Sequence, residues 1–321
     1  MLFSMRRQEV RSVSRSILIV ARKEFSDMIR SKRLWIILSL LILIHLGTYS
    51  MVRYASVSSY KNVRRMLLLR GISNLTSSIA ILGPILGIAL GYDAISGERE
   101  RGTLKLILAR PVYRDSIING KALAGLCIIV MTMGITGLLT MALGVLVYGM
   151  SLTLDNLTRF GLYTLLSILI TLAFYAMAIL FSVLSKRSST SLAINIVIWA
   201  TFAFILPVAS YIIAGAILGP PPVMQEPGQK GISRQFIEYS RKLAELSGKI
   251  RQFSLITHYQ VIANALMRSE VIVNVGGRTI RRTITLGEIL SRGWWHITIL
   301  VVFTLVCFIS SYAIFVRSEE R

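Results

Sequence analysis

GYDAISGERERGTLKLILARPVYRDSIINGK, residues 91–121, carries ten charged side chains between two long apolar stretches. Each flanking run is twenty residues or more, enough as a helix to cross roughly 30 Å of hydrocarbon. Reading the segment as a connection between membrane spans decides the fold, because the same alternation repeats along the chain. Apolar runs occur at 34–52, 72–92, 122–148, 160–184, 191–218 and 294–316. Six spans predict an all-α membrane protein.

Composition agrees. The chain has 321 residues, 54% hydrophobic and only 16% charged, where a soluble domain carries about a quarter charged. The net charge of +21 comes from basic residues that flank apolar spans or sit in one long loop. Anionic lipid headgroups and membrane topology account for them, so no nucleic-acid partner is expected. Cys127 and Cys307 both lie inside apolar runs, which argues against a disulfide framework or a metal site,. Nine Lys/Arg precede the first run with no small-residue cleavage site, so residues 1–33 do not read as a cleaved signal peptide,.

The basic residues also predict orientation. With the N-terminus inside, the inner segments hold nineteen Lys/Arg and the short outer connections six, five of them in 53–71. That favours a cytosolic N-terminus and C-terminus in the cell membrane. The domain plan is then a cytosolic 1–33, spans one to five over 34–218 with a cytosolic connection at 93–121, a loop 219–293 outside, and the sixth span with its tail over 294–321.

Within that plan, residues 14–33 (SRSILIVARKEFSDMIRSKR) read as an amphipathic helix. Ile17, Ala21, Phe25 and Met28 share a face, as in helices that lie in the membrane interface,. The loop 219–293 reads as a small, mostly helical extracytoplasmic domain. It opens on the turn-rich GPPPVMQEPGQKG, continues with helical spacing at Ile232, Phe236, Tyr239, Leu243, Leu246 and Ile250, and then pairs two β-branched runs around Gly276-Gly277,. At this size it leans on the membrane domain or a second copy. Gly83, Gly87 and Gly91 repeat every fourth residue and predict one smooth face for close helix packing, with Gly134, Gly137 and Gly144 a looser version,.

In the opening segment, Gly102 suits the left-handed position after a helix. Thr103 can cap a new short helix with Leu104, Ile107 and Leu108 on its apolar face, and Pro111 ends it,. Two short helices along the membrane surface would display Glu98, Glu100, Arg101 and Arg114. They form either a docking surface for a cytosolic partner or an ordinary charged loop that sets topology.

The order G-E-R-E-x-G-T-L-x-x-x-L-x-R-P-V-x-R-x-x-x-x-x-G-K resembles the signature of ABC-2-type transporter permeases. Glu98, Glu100, Gly102, Thr103, Leu104, Pro111, Arg114, Gly120 and Lys121 match it by position. The segment ARKEFSDMIRSKR, with Lys23, Glu24 and Phe25, is similar to the family's amphipathic elbow helix. The resemblance implies a two-component machine. The permease pairs with a second copy or a paralogue, and a separate ATP-binding subunit docks on the elbow and on coupling helices between spans two and three. ATP and Mg would be bound by that subunit. This chain has no phosphate-binding loop, since its nearest approach has Asp115 and Ala122 where Gly and Ser/Thr are required,. The solute and its contact residues are not implied.

Other polar residues suggest less. His45 and Asn195 fall inside spans and read as helix-packing groups, His258 and His296 lack metal-ligand companions, and Asp155 reads as solvated,. No Asp or Glu occurs in the core of a span, which counts against an ion-driven transporter. A membrane scaffold acting through 219–293 is the remaining alternative, and the absence of polar clusters in the spans disfavours an embedded hydrolase.

Overall fold

The computed structural model describes residues 2–56, 61–104, 114–148, 152–222, 234–267, 270–275 and 278–317. Pro111, the helix expected beyond Leu104, Gly276-Gly277 and the exit loop from 223 lie outside them. Helices are α1 (Leu2–Ile29), α2 (Lys32–Ser56), α3 (Lys61–Gly91), α4 (Ser96–Glu100), α5 (Arg114–Tyr148), α6 (Leu154–Leu184) and α7 (Ser188–Ala200). A π turn, Thr201–Ile205, joins α7 to α8 (Leu206–Leu218). Then come α9 (Arg234–Arg251), α10 (Leu255–Met267), the strands β1 (Glu270–Val275) and β2 (Arg278–Thr283), and α11 (Leu286–Arg317). Among the described residues, six helical stretches are long and apolar enough to cross a membrane, with α7, the π turn and α8 counting as one, the fifth span.

α6 is the central post. Tyr163, Ile170, Phe174 and Ala178, spaced along it, are fully buried. Between apolar helices in lipid the hydrophobic effect gives little drive, and close packing decides which faces meet. The predicted glycine face of α3 is the face that meets α6. A Cβ at Gly87 would overlap the carbonyl of Thr171 and lie 2.8 Å from the Tyr175 amide, and one at Gly91 would lie 2.8 Å from the Ala178 methyl. Gly83 similarly faces the Thr171 hydroxyl. The looser set behaves unevenly: Gly137 fits against Thr164, whereas Gly134 faces open space.

α1 and α2 are separated by a tight turn at Ser31, where the Trp35 indole donates 2.7 Å to the Ile29 carbonyl and so closes the end of α1. Along α5, Thr132, Thr136 and Thr140 each donate to the carbonyl four residues back, and the Tyr49 hydroxyl of α2 donates to Thr140 O at 2.6 Å. His45 turns inward on α2 and donates from Nδ1 to Leu41 O at 2.7 Å.

The described part of the 219–293 loop packs against the membrane helices rather than standing apart. Gly219, at φ +79°, ends α8. α9 then runs back antiparallel along α8: the Tyr239 hydroxyl donates to Gly219 O at 2.9 Å, and Ser254, just past α9, donates to Phe202 O at 3.1 Å. Phe202 sits near the middle of the 188–218 stretch. Residues 234–267 therefore form a re-entrant hairpin whose two helices pack on α8 and on α6 and α11 rather than on each other, and whose tip reaches halfway along the fifth span. α10 returns against α6 and α11, with Tyr259 and Ser167 hydroxyls 3.1 Å apart and Ile262 packed where Gly293 leaves room. The charges of α9 hid this, because they lie on its outer side in i,i+4 pairs such as Lys242–Glu238 and Lys249–Glu245. The two β-branched runs pair antiparallel, from Glu270 opposite Thr283 to Val275 opposite Arg278.

Arg159 on α6 ties this region down. It bonds Asp155 at 2.7 Å and donates to the carbonyls of Leu266 (3.5 Å) and Ile284 (2.7 Å), the residues that flank the strand pair. Asp155 is thus half of an ion pair as well as solvated. His258 and His296 meet Nδ1 to Nδ1 at 2.6 Å, with Trp295 stacked on His296.

Candidate functional site

The two sequence segments that carried the family resemblance meet at one end of the bundle. Gly120, at the start of α5, is the contact point for α1: a Cβ there would lie 2.6 Å from the Val20 side chain and 3.1 Å from Ile17 O. Only a glycine lets the two helices approach this closely. α1 turns Ala21 inward and packs Phe25 and Met28 against the core, while Leu18 and Ile19 face outward.

That approach brings three charges together. Lys121 Nζ, 4% exposed, lies 2.8 Å from Glu98 Oε1 and 3.0 Å from Glu24 Oε1. Lys23 adds a second cation, 3.2 Å from Glu24. Burial pushes the Glu24 carboxyl toward neutrality, but Lys121 and then Lys23 outweigh it, and the group is held below the ordinary carboxylate value. Lys121 is positioned by its backbone as well. The Tyr175 hydroxyl of α6 donates to Lys121 O at 2.7 Å, and its ring occupies the space left by Gly125.

Glu98 does not sit on a displayed surface, as the sequence suggested; only 6% of the residue is exposed. Its second oxygen, Oε2, is buried without a hydrogen-bond partner. Glu98 lines a cleft of about 290 Å³ between α1, the end of α3 and α4, together with Lys23, Glu24, Asp27, Asp93, Arg33 and Arg101. Arg33 closes one wall by pairing with Asp93 at 2.9 Å and lying over the Tyr92 ring. Arg101 is exposed at the mouth.

The rest of the charged segment clasps the turn between α6 and α7. The Ile95 and Ser96 amides donate to Ser182 Oγ at 2.9 and 3.0 Å, which starts α4. Arg99 then donates to the carbonyls of Val183 (3.1 Å) and Ser185 (2.6 Å) at the end of α6. Glu100 accepts from the amide of Ser188 at 3.1 Å and from its hydroxyl, at the start of α7. α7 has no side-chain cap of its own, so Glu100 supplies one from another segment. A cation at a helix C-terminus and an anion at an N-terminus also suit the two helix dipoles.

Gly102 takes the left-handed conformation at φ +71°. The Thr103 hydroxyl donates back to Glu98 O at 3.2 Å, which closes α4, and the helix it was expected to cap lies outside the described residues beyond Leu104. Leu104 is buried, and Arg114 opens α5 half-buried. The structure thus brings Glu24, Glu98, Gly120 and Lys121 into one junction, while Glu100 faces α7. Sequence reasoning missed Ser182, Arg99, Asp93 with Arg33, and Tyr175. The first and last were undetectable, but the paired signs in GERER were a signal that both helix ends lay nearby. Among the described residues, no three His, Cys, Asp or Glu side chains are grouped to hold a metal ion.

Residues 18–319 match the family described as ABC-2 family transporter protein. The chain is 28% identical over 187 residues to a probable ABC transporter permease protein NosY from Stutzerimonas stutzeri, covering 58% of this chain and 66% of that one. It is 29% identical over 191 residues to the protein of the same description from Pseudomonas aeruginosa, covering 59% and 68%. The match thus spans about two thirds of the length of these relatives. With the family matched over nearly its whole length, and with six apolar helices carrying the charged junction, the chain belongs to the ABC-2 transporter family.

Proposed function

We propose that the chain is the permease subunit of an ATP-driven ABC exporter, working as a pair with a separate ATP-binding subunit. The relatives described as probable ABC transporter permeases support this reading. The observation that carries it is the junction itself. α1, α4, α5 and the α6–α7 turn are joined at one end through Lys121, Arg99 and Glu100, and α4 follows directly on α3, so a push there moves several spans as one body. Beside it lies a cleft whose buried acceptor, Glu98 Oε2, lacks a donor. A buried acceptor left unpaired costs about 1–3 kcal/mol, which a basic side chain of the docked subunit would recover.

In this reading the junction is cytosolic, as the distribution of basic residues favours, and α9–α10 sits toward the outer face. α1 is the elbow, with Leu18 and Ile19 turned to lipid, and α4 with the residues after it is the coupling segment. ATP hydrolysis belongs to the partner. Its differential affinity for open and closed states of the permease pair supplies the energy.

The test is gentle purification of the chain from its native membrane, with identification of what accompanies it. A stoichiometric protein carrying a phosphate-binding loop is the expected result. If other membrane complexes survive the same conditions and no ATP-binding protein appears, the transport reading fails.

A further inference from the structure

The fifth span is one apolar run in sequence, yet its winding changes halfway. In the π turn 201–205 the Leu206 amide bonds Thr201 O, five residues back. Pro207 follows and has no N–H to give. The Phe202 carbonyl is therefore short of both helical donors, since one is spent on Thr201 and the other is a proline nitrogen. An unpaired carbonyl at this depth is costly, and spans with such breaks take donors from neighbouring elements. Here the donor is the Ser254 hydroxyl, 3.1 Å away on a fully buried residue, at the tip of the α9–α10 hairpin.

We propose that the π turn is a hinge in the fifth span and that Ser254 is the latch binding the helical hairpin to it. The two halves of the span answer to different neighbours. Glu100 holds the start of α7, and α9 lies along α8, with Tyr239 on Gly219 O and Arg251 over the Tyr211 ring. Bending at 201–205 changes the angle between those halves, and the Ser254 bond makes the hairpin tip follow. π turns recur at functional sites and are places where helices kink. That the movement starts at the Glu100 end rests on the proposed function; the latch does not.

A double-mutant cycle in the full-length chain, in lipid nanodiscs, tests the latch by amide hydrogen exchange across 252–258. Pro207→Ala gives the Phe202 carbonyl a donor in its own helix, so the Ser254 hydroxyl becomes redundant. Ser254→Ala alone is expected to speed exchange roughly fivefold, the worth of one net hydrogen bond. In the Pro207→Ala background it should change exchange by less than about twofold. Equal acceleration in both backgrounds, or none in the natural one, overturns the latch. Failure to recover an ATP-binding subunit would sink the proposed function and leave the outcome of this cycle intact.

Discussion

The junction and the hairpin lock neighbouring segments to opposite ends of α6, and they do so with different chemistry. At the C-terminal end, charge does the holding: Lys121 between Glu24 and Glu98, with Arg99 and Glu100 on the α6–α7 turn. Toward mid-span from the N-terminal end, the Asp155–Arg159 ion pair on α6 gives way to single neutral contacts. These are Ser167 with Tyr259, His258 with His296, and Ser254 with Phe202 O. Water decides the difference. Charges are tolerated where a cleft admits solvent, and deeper in the bundle only groups that can be satisfied while neutral avoid a large desolvation cost. A block held by charges at its solvent end can take up a push from a soluble partner, whereas neutral contacts deeper in can yield one at a time.

The largest effect should come from Lys121→Met, which keeps the volume and leaves the buried Glu98 carboxylate without its cation, facing the half-buried Glu24. A loss of about 3–5 kcal/mol is expected, read as a fall in the melting temperature of the detergent-purified chain. A loss near zero would mean the junction is more hydrated than its burial implies. Next is Arg159→Leu at the other end, expected to cost about 1.5–3 kcal/mol through its bonds to Leu266 O and Ile284 O,. The loss should appear as faster hydrogen exchange over 255–267 with no change over 96–121. Exchange that quickens at both ends equally would break the distinction between them.

A smaller effect is set by pH. Glu24 is held below its ordinary value of 4.5, so the unfolded chain binds its proton first as the medium turns acid. The contribution of Glu24 is complete above that value and is lost as pH falls through the lower, folded one. Stability of the α1 contact should therefore be flat from pH 7 to 5 and decline below, and Glu24→Gln should remove the decline. A profile unchanged by that substitution would place the acid sensitivity elsewhere.

The sequence was readable where a pattern repeats within one element. The six apolar runs became helices, the glycines of α3 became a packing face, and the β-branched runs became a strand pair. It was readable in the charged segment only as far as composition goes. Glu98 looked like a surface residue because the lysine that buries it is 23 positions away, and Glu24 is farther still. Gly120 carried no signal apart from the family pattern, since its reason is the Val20 side chain of another helix. The reach of the hairpin along the fifth span was hidden because α9 carries enough charge on one side to look soluble. Ser254 gave no sign at all, because its partner is a carbonyl freed by a proline in a different span.

The most direct test of the account compares the two regions in one experiment. A photo-crosslinking amino acid is placed either at Arg101, at the mouth of the charged cleft, or at Ile237, exposed on α9, and the chain is irradiated in its native membrane. A crosslink to an ATP-binding subunit is expected from position 101 and none from 237. An ATP-binding subunit captured at 237, or at neither position while the complex survives purification, would contradict it.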